Sequence, residues 1–155
     1  MPAFVRSLFA GAALTLAAGA AAAQDCPTEP SFVGVTGANS DVRASASRVD
    51  RGEWDIAEHF AREAIESGTS SRNKAAAYIN LCAALANQRS PETQEACSQA
   101  MTRNAGSWQA YTNRGAALWL SGDTEAAAED FQRAVELGGG EPAVTANAAL
   151  AACAP

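Results

Sequence analysis

Apolar residues recur at helical spacing through residues 107–138, which read SWQAYTNRGAALWLSGDTEAAAEDFQRAVELG. The spacing i, i+4, i+7 places side chains on one face of an α-helix, and it occurs twice in this stretch. The positions are Tyr111, Gly115 and Leu118, then Ala127, Phe131 and Ala134. Gly122 and Asp123 separate the two sets and are typical of a turn. The pattern therefore predicts two amphipathic helices joined by a short turn.

Gly115 lies in the middle of the first predicted helix. A glycine there costs roughly 1 kcal/mol of stability relative to alanine, so its presence calls for a packing reason. We expect close approach of the neighbouring helix, with Phe131 filling the space that a side chain would take.

The same sets of helix positions, which we call columns, recur in two earlier stretches. Residues 41–51 and 53–67 predict a first helix pair, in which a glycine–acid turn, Gly52-Glu53, again separates the helices. In the second pair the columns are occupied by Tyr78, Cys82 and Leu85, then by Thr93, Cys97 and Ala100. The chain is thus predicted to contain three successive helix pairs.

The order of aromatic, small and large apolar residues around a turn resembles the tetratricopeptide repeat (TPR), a helix–turn–helix unit of about 34 residues. The resemblance is to exported bacterial members of that family. It implies an all-α fold, a right-handed α-solenoid of about three repeats at residues 38–71, 72–106 and 107–141. Residues 142–155 would form a C-terminal helix that caps the open end of the stack.

The N-terminus has the pattern of a secretory signal. Arg6 precedes an apolar run at residues 8–22, and the small residues 21–23 offer a cleavage site before Gln24. Residues 1–23 are therefore predicted to be removed on export to the periplasm or the exterior. Residues 24–37 contain prolines and glycines without a helical period, which predicts an extended segment, the N-terminal arm.

The formal charge of the full chain is −6, and loss of Arg6 with the signal makes it more negative. Such a charge favours solubility and argues against nucleic acid as a partner, because phosphates require basic patches. No stretch after the signal is apolar enough to predict stable membrane insertion once the signal is cleaved.

Four cysteines in an exported chain suggest two disulfides, with three possible connectivities. The column match places Cys82 opposite Cys97 within one helix pair, which predicts that they are joined; two buried free thiols are the alternative. Cys26 and Cys153 remain. The arm is long enough to span the stack, at about 3.3 Å per residue, so an intramolecular bridge is possible beside a covalent dimer or two free thiols. With the intramolecular bridge, Phe32 and Val35 could lie in a groove formed by the stacked helices.

The residues offer no catalytic set. The only histidine, His59, lies between acidic residues one helical turn away on either side and is interpreted as solvated. The acid pairs Glu129-Asp130 and Asp123/Glu125 are interpreted as a solvated face, and no phosphate-binding glycine loop is present. We therefore expect a protein that is not an enzyme and uses no cofactor and no metal.

The TPR resemblance implies a different kind of site, a concave groove that binds an extended peptide. Its candidate lining residues are Ile79, Asn80, Ala83, Thr112, Asn113, Ala116 and Trp119, with Val42, Ala46, Val49 and Ala76 beside them. Asn80 and Asn113 occupy matching columns where the family often has an asparagine that binds the ligand backbone. The expected function is a protein–protein interaction module; a structural or assembly subunit of an envelope complex is the alternative.

Overall fold

A computed structural model describes residues 26–153 of the protein. Within these residues it contains seven α-helices and no strand, so the predicted all-α class is confirmed for this part of the chain. The helices are α1 (Ser40–Val49), α2 (Trp54–Glu66), α3 (Ser71–Asn87), α4 (Thr93–Arg103), α5 (Trp108–Ser121), α6 (Thr124–Gly138) and α7 (Pro142–Ala152). The predicted signal segment, residues 1–23, lies outside the described residues.

Each helix packs against the next one along the chain. In addition α1 contacts α3, α3 contacts α5, and α5 contacts α7, whereas contacts of this kind between the even-numbered helices are absent from the described residues. The odd-numbered helices therefore form a continuous inner row, and α2, α4 and α6 lie outside it. We use the term inner row for α1, α3, α5 and α7.

The first and last helices of the inner row, α1 and α7, each begin at residues that favour a helix N-terminus. The side chain of Asn39 accepts hydrogen bonds from the backbone N–H groups of Asp41 and Val42, which otherwise lack partners in the first turn of α1. Pro142 occupies the first turn of α7, where its missing N–H costs nothing.

None of the described helices is long and apolar enough to cross a membrane.

Gly115 packs as predicted. A Cβ atom on Gly115 would lie 2.7 Å from a ring carbon of Phe131, whose side chain is buried at the α5–α6 contact. The absent side chain therefore allows the aromatic ring to reach the backbone of α5. Many of the other buried residues in the stack are alanines, which permit similarly close helix packing.

The interpretation of Asp130 as part of a solvated acidic face was wrong. Asp130 is 5% exposed and accepts two hydrogen bonds from the guanidinium of Arg114, at 2.7 and 2.6 Å. These hydrogen bonds, opposed in part by burial, raise the pKa of Arg114 above its ordinary value. The error arose because Asp130 was compared only with its neighbours in sequence, whereas its partner lies on α5. Glu129, the adjacent residue, is exposed.

Candidate binding groove

The N-terminal arm crosses the inner row in an extended conformation. At one end Cys26 is joined to Cys153, just after α7, with Cα atoms 6.0 Å apart. At the other end the arm continues into α1 through Gly37 and Ala38. The intramolecular bridge is thus the pairing found, rather than a dimer or two free thiols. The arm is held at both ends across the face that the inner row presents.

Three asparagines on successive inner-row helices bind the arm, and we call them the asparagine ladder. Asn147 on α7 binds Ser31, Asn113 on α5 binds Val33, and Asn80 on α3 binds Val35. In each pair the side-chain oxygen accepts from the backbone N–H, at 2.7, 2.9 and 2.7 Å. The side-chain NH₂ of the same asparagine donates to the carbonyl oxygen of the same arm residue, at 2.9, 2.9 and 3.0 Å.

This arrangement follows from the geometry of an extended chain. The N–H and C=O groups of one residue point to the same side of a strand, and the groups of the next residue point to the other side. A carboxamide carries one acceptor and one donor group side by side, so it pairs with both groups of a single residue. The ladder therefore engages every second residue.

The ladder residues are buried between the helices and the arm. Asn80 and Asn113 are fully buried, and Asn147 is 1% exposed. Asn80 also donates to the hydroxyl of Ser45 at 2.8 Å, and Asn113 donates to the carbonyl of Ile79 at 3.2 Å. These second partners help to orient the carboxamides of Asn80 and Asn113, whereas the hydrogen bonds of the Asn147 side chain are to Ser31 alone. With the arm in place, the polar atoms of all three carboxamides have hydrogen-bond partners, as buried polar groups require.

Two further contacts hold the arm. The N–H of Gly34, which points away from the ladder, donates to the carboxylate of Asp50 at 2.8 Å. Ala38, the first residue after the arm, donates its N–H to the side-chain oxygen of Asn73 at 3.1 Å. The arm's backbone is thus bound on both edges.

The predicted lining residues take different roles. Asn80 and Asn113 bind the arm directly. Four others belong to three apolar clusters: Ile79 with Val35, Ala83 with Phe32, and Ala116 in a cluster against which both Trp119 and Phe32 pack. Thr112 is buried and donates its hydroxyl to the carbonyl of Trp108 on its own helix. Val42 and Val49 also lie in clusters that receive the arm.

Sequence reasoning missed Asn147, Asn73 and Asp50. A signal for Asn147 was present, because Asn80, Asn113 and Asn147 recur at close to the repeat length of about 34 residues. The prediction that residues 142–155 form a cap does not use this periodicity. Asp50 and Asn73 carry no comparable periodic signal.

The second disulfide lies in an apolar cluster against which Phe32 of the arm packs. Cys82 on α3 is joined to Cys97 on α4, as predicted, with Cα atoms 4.7 Å apart.

The only histidine, His59, is exposed on α2. Among the described residues no group of histidine, cysteine or carboxylate side chains is arranged to hold a metal ion. Two disulfides in one chain are typical of an oxidising, extracytoplasmic environment.

Comparison with protein-family models, with curated proteins and with solved structures found no match for this chain. The case for function therefore rests on the geometry of the groove and on the chemistry of the residues that line it.

Proposed function

We propose that this chain is a non-catalytic protein–protein interaction module of the bacterial envelope, which binds an extended segment of a protein or peptide partner in its groove. The asparagine ladder is the observation that carries the proposal. Its three carboxamides bind both backbone groups of alternate residues in an extended chain. Every non-proline residue offers these two groups, so the same contacts are available to a segment from another protein.

The architecture we propose for the module is a right-handed solenoid of three TPR-like repeats with a capping helix. The pairs α1–α2, α3–α4 and α5–α6, followed by α7, and the contacts along the inner row support it. In such a stack one helix of each repeat contributes to a continuous concave surface. The ladder lies along that surface, with one asparagine on each of α3, α5 and α7.

Export to the periplasm or the exterior is part of the same proposal. The signal-like residues 1–23 predict it, and the two disulfides favour a compartment in which cysteines are oxidised. The predicted partner therefore belongs to the same compartment.

The arm limits when a partner can bind. It is tethered to the stack at both ends, so its effective concentration at the groove is on the order of millimolar or higher. A partner segment must displace it. We expect weak binding while Cys26 and Cys153 are joined, and stronger binding when one tether is removed.

A labelled peptide of the arm sequence PSFVGVTG tests the proposal. Fluorescence anisotropy should show saturable binding to the full-length variant Cys26→Ala/Cys153→Ala and weaker binding to the oxidised wild type. Adding Asn113→Ala to the double variant should abolish binding. Adding Asn87→Ala should preserve it, because Asn87 donates only to the carbonyl of Ala83 on its own helix. Equal binding by these two variants, or none to the double variant, would contradict the proposal.

The covalent retention of the arm favours a second candidate, a structural or assembly subunit in which the arm is a permanent part of the stack. Such a protein would act through its outer surfaces. Sedimentation equilibrium distinguishes the two: a mass that rises with protein concentration supports assembly, and a constant monomer mass supports the interaction module.

A further inference from the structure

The arm enters the groove in one direction and one register. Ser31 meets α7, Val33 meets α5 and Val35 meets α3, so each helix of the ladder engages the chain two residues further along. The backbone contacts do not depend on side-chain identity. The side-chain positions of Phe32, Gly34 and Val35, however, lie in three different environments.

Phe32 lies where several parts of the core meet. Its ring packs edge-on against Trp54, with centroids 5.9 Å apart. It also packs against the cluster that contains Val49 and Ala83 and the cluster that contains Ala116 and Phe131. An aromatic side chain is therefore the anchor at this position, since smaller side chains would leave these surfaces without a partner.

Gly34 packs directly against the backbone of helix α1. A Cβ atom on Gly34 would lie 2.3 Å from the carbonyl oxygen of Ala46, 2.7 Å from its carbonyl carbon and 2.8 Å from its Cα. These are backbone atoms within helix α1, so they cannot turn aside as a side chain would. The backbone of Gly34 does not have a positive φ. Glycine is thus required by space rather than by conformation.

Val35 follows directly. Its side chain packs against the cluster that contains Val42 and Ala76 and the cluster that contains Ile79 and Ala100. A β-branched residue suits this position, because its χ1 is restricted in an extended chain and its methyl groups fill the space beside the backbone. Thr36, the next residue, is exposed.

We infer that the groove is selective for extended segments with the pattern aromatic–any–glycine–β-branched, which run from α7 towards α3. The inference rests on the proposed function insofar as the segment comes from another protein. Glycine at the third position is its sharpest element: alanine there collides with backbone, whereas changes at exposed positions cost little.

The rule is tested first within the chain, in the Cys26→Ala/Cys153→Ala background. Gly34→Ala should raise the amide hydrogen-exchange rates of Val33 and Val35 by about 10-fold or more, because the arm is displaced from its seat. Thr36→Ala should change them by less than about twofold. Unchanged exchange in Gly34→Ala, with slow amides in α5 as an internal reference for folding, would overturn the inference.

Peptide binding tests the selectivity separately from the proposed function. It also tests the selectivity if the Gly34→Ala variant unfolds, which loss of slow exchange throughout α5 would show. PSFVGVTG should bind the double-cysteine variant at least about 10-fold more tightly than PSFVAVTG or PSAVGVTG, and as tightly as PSFVGVAG. Equal affinity for all four would overturn the selectivity while supporting the proposed function. No peptide binding, together with displacement of the arm by Gly34→Ala, would refute the proposed function and support the selectivity for the arm itself.

Discussion

The two disulfides stabilise different parts of the molecule. Cys82–Cys97 closes an interval of 15 residues between neighbouring helices and lies in the core. Cys26–Cys153 closes an interval of 127 residues and joins the arm to the end of the stack. The first bridge fastens two elements that already pack against each other. The second adds a covalent tether to the segment that occupies the groove.

The two bridges should therefore affect the groove differently. Loss of the first bridge should weaken the α3–α4 pair and leave the asparagine ladder filled. Loss of the second should leave the helices paired while it removes one tether from the arm. The noncovalent contacts then have to hold the arm: the packing of Phe32 and Val35, the ladder, and the hydrogen bonds to Asp50 and Asn73.

The largest expected effect is on the free energy of unfolding when the long interval is opened. On the chain-entropy model Cys26→Ala/Cys153→Ala should cost about 5 kcal/mol, whereas Cys82→Ala/Cys97→Ala should cost about 3 kcal/mol. Denaturant unfolding of the two variants measures both values. The reverse order would show that the short bridge contributes more than loop closure.

Asn113→Ala tests the ladder independently of either bridge. It leaves both backbone groups of Val33 without their partner and removes one donor to the carbonyl of Ile79, so we expect a loss of about 2–4 kcal/mol in unfolding free energy. Asn87→Ala, the matched control, removes one bond within its own helix and should cost less than about 0.5 kcal/mol. Similar melting temperatures for the two variants would mean that the ladder does not stabilise the fold.

Arg114→Met tests an ion pair between α5 and α6 that does not involve the arm. It leaves the buried carboxylate of Asp130 without its guanidinium partner, and the expected loss is about 2 kcal/mol. Arg133→Met removes a surface ion pair with Glu136 and should produce no measurable change. Thermal unfolding of both variants provides the comparison; a larger effect at Arg133 would contradict the role given to the Arg114–Asp130 pair.

Gly115→Ala should have the smallest effect, about 1 kcal/mol of destabilisation, because overpacking against Phe131 outweighs the helix preference of alanine. Gly106→Ala is the control: its Cβ would meet its nearest neighbour at 4.0 Å, so we expect no loss. A stabilised Gly115→Ala variant would show that the α5–α6 contact yields without cost.

Local periodicity was sufficient to predict the helix pairs, the Gly115–Phe131 contact and the Cys82–Cys97 bridge. These features join residues whose columns are fixed by the same short repeat. The arm was harder to predict, because its position depends on contacts between residues far apart in sequence, such as Ser31 with Asn147 and Gly34 with Ala46. Its extended form and reach followed from composition and length. Its register did not, because the seat of Gly34 is formed by backbone atoms that carry no sequence signal.

The central claim is that the asparagine ladder holds an extended segment in the groove, and that the chain's own arm is that segment. Amide hydrogen exchange measured by NMR on the oxidised protein tests it most directly. Ser31, Val33 and Val35 should exchange slowly, while Thr36 exchanges quickly. Asn113→Ala should accelerate Val33 more than any other arm residue. Uniformly fast exchange along the arm, or an Asn113→Ala variant that leaves Val33 protected, would contradict the claim.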